Sequence, residues 1–126
     1  GTWNTTNRTL LKNRIREFVT WRNTRKKQTP IFFCLPYPAV NTDTTRNAAY
    51  LATTKIADIR VAISEVISEF GDANKVYSVD FSDVYLNTDY TNYSASSGDN
   101  KTHPSSIGHG KLGQRLYEVY CLKLGL

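Results

Sequence analysis

The residues best suited to chemistry in this chain lie in one run, Asp99-Asn100-Lys101-Thr102-His103-Pro104-Ser105-Ser106-Ile107-Gly108-His109-Gly110-Lys111-Leu112. His103 leads them. An imidazole that titrates near neutrality can take a proton from a hydroxyl nucleophile and return it to a leaving group, provided that a carboxylate holds the ring in the right tautomer. Asp99, in the acidic loop just upstream, is the candidate for that carboxylate. His109 invites a metal assignment with His103, but no nearby Cys or Glu completes a metal-ligand set.

Thr102-His103-Pro104 followed by Ile107-Gly108-His109 and an amphipathic stretch resembles the last sequence block of the SGNH (GDSL-like) hydrolases, a family of esterases and deacetylases. The resemblance implies that His103 is the general base for a serine nucleophile and that an Asp shortly before it orients the ring. It also implies a structural imidazole at His109, opening the final helix. In the family pattern that Asp stands three residues before the His, a place taken here by Asn100, with Asp99 one residue further back. An extra loop residue restores the contact, or a backbone carbonyl orients His103, or the triad is reduced to a dyad, or activity has been lost. The start Gly1-Thr2-Trp3-Asn4 resembles a variant of the family's Gly-x-Asn block, with Trp3 where the pattern has Asn. This implies Asn4 as an oxyanion donor, since a side-chain amide aimed at the developing negative oxygen stabilises an acyl-transfer transition state. Asn7 is the alternative, and either residue could instead serve only as a helix cap.

No Gly-Asp-Ser block is present, and the chain contains no Met. The expectation is therefore that residues 1–126 are the C-terminal portion of a single SGNH-hydrolase-like domain, with the serine and further strands supplied by an upstream segment of the same domain. The activity implied is hydrolysis of a small acyl ester, with an acetylated carbohydrate as one possible substrate, and no metal or organic cofactor. Tyr85, Tyr90 and Tyr93 stand among Asn and Thr in the loop before the His block, where tyrosines either stack on sugar rings or simply pack the loop.

The elements that must position these residues follow from hydrophobic spacing. Leu11, Ile15, Phe18 and Val19 predict an amphipathic helix from Thr9 to about Arg22, with Asn7 or Thr9 capping its start. Ile31-Phe32-Phe33-Cys34-Leu35 is a continuous apolar run between prolines and predicts a strand buried on both faces. A long helix is expected from about Thr44 to Phe70, with Ala48, Ala52, Ile56, Ile59, Ile63, Val66, Ile67 and Phe70 on one stripe and Gly71 placed to end it. Lys75 to Phe81 predicts a second strand, a polar loop follows through Asp99, and Leu112, Leu116, Val119 and Tyr120 mark a C-terminal helix. Asp80 and Asp83 are expected to form turns and caps. The order is an α/β pattern of parallel strands with crossover helices, and two strands alone do not make a covered sheet.

At 126 residues, 40% hydrophobic and 21% charged, the chain has the composition of one small globular domain. No apolar run approaches the roughly 20 residues that cross a bilayer. The formal charge of +5 is uneven: Arg8, Lys12, Arg14, Arg16, Arg22, Arg25, Lys26 and Lys27 fall together with only Glu17 among them. Long basic side chains are the usual covering of an exposed helix. The alternative is an inactive module whose basic first helix recognises an anionic polymer, although no nucleic-acid motif is present and nucleic acid is not expected as a partner. Cys34 and Cys121 lie in apolar surroundings and are expected to be buried free thiols.

Overall fold

The computed structural model of the chain describes residues 3–26, 29–36, 53–85, 91 and 103–126. Among them the architecture is mixed α/β, mostly helical, with a small two-stranded parallel sheet. The elements are α1 (Thr5–Lys26), β1 (Ile31–Cys34), α2 (Thr53–Phe70), a short 3-10 turn (Asp72–Asn74), β2 (Val76–Val79) and α3 (Ser106–Leu124). Two units are distinguishable: Gly1–Leu35 with Ala57–Val79, and Pro36–Ile56 with Asp80–Leu126. The expected start of the second helix at Thr44 lies outside the described residues.

In the first unit, α1 begins at Thr5 rather than Thr9 because Asn4 is its cap. The Asn7 N–H donates to Asn4 Oδ1 at 2.9 Å, and the Arg8 N–H donates to the Asn4 carbonyl at 2.9 Å. A side-chain oxygen in this place satisfies an N–H that the first helical turn leaves without a partner. At the other end the helix runs on to Lys26, with Arg25 and Lys26 complementing the negative end of its dipole. Ile15 and Val19 point into the core, whereas Phe18, expected beside them, is 48% exposed. Phe18 instead joins Trp21 on a neighbouring stripe, their rings stacked with centroids 6.1 Å apart.

β1 and β2 pair in parallel with Ile31 opposite Val76, Phe32 opposite Tyr77, Phe33 opposite Ser78 and Cys34 opposite Val79. Side chains alternate across a strand, so Ile31, Phe33 and Val76 share one sheet face. That face carries the core: Ile15 and Val19 of α1, Ile63, Val66 and Ile67 of α2, Leu35 and Val76, flanked by Leu11, Ile31, Phe33, Ile59 and Phe70. Burying each such side chain contributes on the order of 1.5–3 kcal/mol. β1 is half-buried rather than covered on both faces, and Cys34 at its end is exposed, contrary to expectation. By strand alternation Cys34 lies on the sheet face opposite Ile31 and Phe33, away from the core that α1 and α2 cover. Cys121 is half-buried, and both cysteines are free thiols.

The link from α2 to β2 is a tight, hydrogen-bonded turn. Gly71 ends α2 as expected, its N–H donating to the Ile67 carbonyl at 2.9 Å, and it adopts φ 62° and ψ −170°. Asn74 Nδ2 donates to the Phe70 carbonyl at 2.7 Å, and Lys75 is left-handed with φ 52°. Arg22 reaches this turn from α1. Instead of covering a solvated face, it is only 4% exposed, and its guanidinium donates to the carbonyls of Thr29 and Asn74. Burial pushes its pKa down, but a guanidinium remains charged. One side chain thus ties the end of α1 to the entries of both strands.

The remaining cations of α1 meet the acids of α2. Arg8 bonds Asp58 and Glu65 at 2.9 Å each, Lys12 bonds Glu65 at 2.7 Å, and Arg16 grips Glu69 through two contacts of 2.7 and 2.6 Å. Trp3 Nε1 donates to Asp58 at 2.6 Å. The partners ascend together along both helices, so α1 and α2 run parallel. These side chains keep substantial solvent contact, which screens each pair.

All three acids titrate below the usual carboxylate range. Trp3 and Arg8 hold Asp58 down, Arg8 and Lys12 bring Glu65 from 4.5 to about 2, and Arg16 lowers Glu69. A carboxylate with a depressed folded-state pKa adds stability above its unfolded value and loses it as pH falls through the folded one. Urea midpoints should therefore hold from neutrality to near the unfolded value of 4.5 and then fall toward pH 2. Glu65→Gln should make that fall shallower, and an unchanged acid profile in this variant would show that the ladder does not set it. At the turn, Gly71→Ala should cost about 1–3 kcal/mol through backbone strain. No atom lies within 4 Å of the added Cβ, so a measured loss in urea unfolding would be conformational rather than steric.

Candidate functional site

The second unit carries His103 and the helix that follows it. Pro104 removes a backbone donor and biases His103 toward extended backbone. Ser105 then caps α3: its hydroxyl oxygen accepts from the Gly108 N–H at 3.1 Å while its proton goes to the Thr91 carbonyl, and the His109 N–H donates to the Ser105 carbonyl at 2.8 Å. Ser105 thus anchors the backbone two residues after His103 to both the helix start and Thr91. His103 is exposed to solvent at this anchored position. His109 lies in the first turn of α3, where it too is exposed.

The segment after β2 is held to the same helix. Ser82 N–H donates to Asp80 Oδ1 at 2.8 Å, and the Val84 and Tyr85 N–H groups close a turn onto the Phe81 carbonyl at 3.1 and 2.8 Å. Asp80 is the turn former the sequence suggested. Asp83 is more than that, because it accepts a charged hydrogen bond from Arg115 on α3. Arg115 also lies 3.6 Å from Glu118 one turn on.

Of the expected site residues, His103 and Asn4 are described, and Asp99 lies outside the described residues, as does Asn100. Asn4 belongs to the first unit, where its Oδ1 is committed to the cap of α1. The cap uses the carbonyl end of the amide, leaving Nδ2 as the donor end. Asn7 sits inside α1 and receives the cap. Tyr85, one of three tyrosines considered for sugar stacking, is fully buried and offers no ring to a ligand. Its backbone is drawn into the turn behind β2. Tyr90 and Tyr93 lie outside the described residues.

Two contributors escaped the sequence. Ser105 carries a recognisable signal, a small hydroxyl residue directly before a helical pattern. Arg115 and Asp83 are 32 residues apart and nothing local links them. Among the described residues no group of three His, Cys, Asp or Glu side chains is gathered to hold a metal ion. No protein-family model, curated protein or solved structure matches the chain.

Replacing the cap tests how firmly this region is held. Ser105→Ala should lower stability by about 1 kcal/mol, the usual loss for a capping hydroxyl, measured by urea unfolding. It should also shift the His103 imidazole resonances; unchanged resonances would show that Ser105 does not fix the histidine's surroundings.

Proposed function

We propose that this chain is the C-terminal portion of an SGNH-like serine hydrolase that cleaves a small acyl ester, an acetylated carbohydrate being one candidate substrate. The observation that carries this reading is the exposed His103, standing directly before Pro104 and the Ser105-capped start of α3.

In this mechanism the nucleophilic serine comes from a segment upstream of residue 1. Its hydroxyl attacks the acyl carbonyl as His103 takes the proton, and His103 then returns that proton to the departing alcohol oxygen. Asp99 orients the imidazole. Asn4 Nδ2 donates to the oxyanion, a role compatible with its cap because the two use opposite ends of the amide. Water, activated by the same histidine, releases the acid and restores the serine.

The rival anionic-polymer module draws less support. Arg8, Lys12 and Arg16, three cations of its supposed binding face, are already engaged by Asp58, Glu65 and Glu69. In the complete protein, His103→Ala should reduce ester turnover by several orders of magnitude while leaving the unfolding free energy within about 0.5 kcal/mol of the parent. A fluorophosphonate probe should label a serine upstream of this chain in the parent and fail to do so in the variant. Turnover retained by His103→Ala would remove the assignment.

A further inference from the structure

Beyond the His103 region, α1 bears a second face outside the ion-pair ladder, joined to the sheet through the edge contact of Phe18 with Phe33 at 6.3 Å. We propose that this face docks peripherally on an anionic lipid surface. Leu10, Arg14, Phe18, Trp21 and Arg25 recur at helical spacing and form one stripe. Leu10, Phe18 and Trp21 are 52%, 48% and 53% exposed, and they are the exposed large apolar residues of α1. Ile15 and Val19 separate this stripe from the ladder, so it faces away from α2. At 1.5 Å per residue it is about 22 Å long.

Charge complementarity selects the partner. The ladder engages Arg8, Lys12 and Arg16, but Arg25 and Lys26 have no carboxylate partner among the described residues. Arg14 has only Glu17, in a pair whose side chains are 69% and 60% exposed. Of these cations, Arg14 and Arg25 lie on the apolar stripe, with Lys26 beside its end. A helix with Leu, Phe and Trp toward the acyl boundary and Arg or Lys reaching the headgroups has the chemistry of an interfacial helix. No helix among the described residues is long and apolar enough to cross a membrane, so docking would be peripheral.

The ring geometry favours lipid over single-stranded nucleic acid. Base stacking needs an open aromatic face. Trp21 already has the Arg25 guanidinium 5.2 Å from its ring centroid and Phe18 stacked at 6.1 Å with 20° between planes. Insertion at headgroup depth needs no open ring face.

The test is co-sedimentation of the complete protein with sucrose-loaded vesicles of phosphatidylcholine alone, or with roughly one-third phosphatidylglycerol. The anionic vesicles should bind at least about tenfold more tightly, less so at high salt, with a blue shift in tryptophan emission that Trp21→Phe removes although Trp3 remains. Trp21→Ser and Arg25→Glu should each weaken binding about fivefold or more, with unfolding curves confirming that both variants are folded. Failure to sediment with anionic vesicles, or binding undiminished in both variants, overturns the proposal. So does tighter binding to single-stranded oligothymidylate, or self-association without vesicles that buries Trp21.

Discussion

Parallel strands cannot be joined by a tight hairpin, so the chain between them must cross from the end of one to the start of the other. In this protein α2 lies in that crossing, and its apolar stripe must meet the sheet face that carries Ile31, Phe33 and Val76. α1 enters β1 from the same face and lies alongside α2 in the same direction. The core then forms where the two helices meet the sheet. Seven buried side chains supply most of the favourable free energy there, while the screened ion pairs contribute on the order of 0–1 kcal/mol each. Apolar burial decides that the unit folds; the ladder and the Arg22 turn contacts help to decide how the helices align.

Much of this frame was legible because periodicity reports burial. Ile59, Ile63, Val66, Ile67 and Phe70 occupy the core stripe of α2, and Gly71 ends the helix. The misplaced residues share a cause: local pattern does not reveal what stands opposite a side chain. Phe18 has the right spacing for the core but sits at its rim, edge-on to Phe33 and stacked on Trp21. Arg22 looks like surface charge but finds two backbone carbonyls across the unit. Cys34 reads as apolar filling and stands exposed at a strand end.

The site was less legible than the frame. A His-Pro-Ser sequence before an amphipathic stretch marks a histidine ahead of a helix, and the helix is there. Asn4 was read from the sequence as an oxyanion donor or a helix cap, and its bond from the Asn7 N–H shows the cap. The Arg115–Asp83 tie depends on residues distant in sequence, beyond the reach of any spacing rule. Tyr85 was ambiguous because tyrosine suits both a core and a sugar platform; complete burial removes the second use.

α3 differs from the other two long helices in how little of it is enclosed. Gly108 is its one buried residue, whereas Leu116, Tyr117, Tyr120 and Leu122 are all exposed to solvent. Helices with few buried apolar side chains open at low free energy, independently of the global transition. Amide protons along α3 should consequently exchange through local opening well before those of the α2 core around Val66. The helix that follows His103 is thus fastened largely by polar ties that water competes for, the Ser105 cap at its start and the Arg115–Asp83 pair along its length.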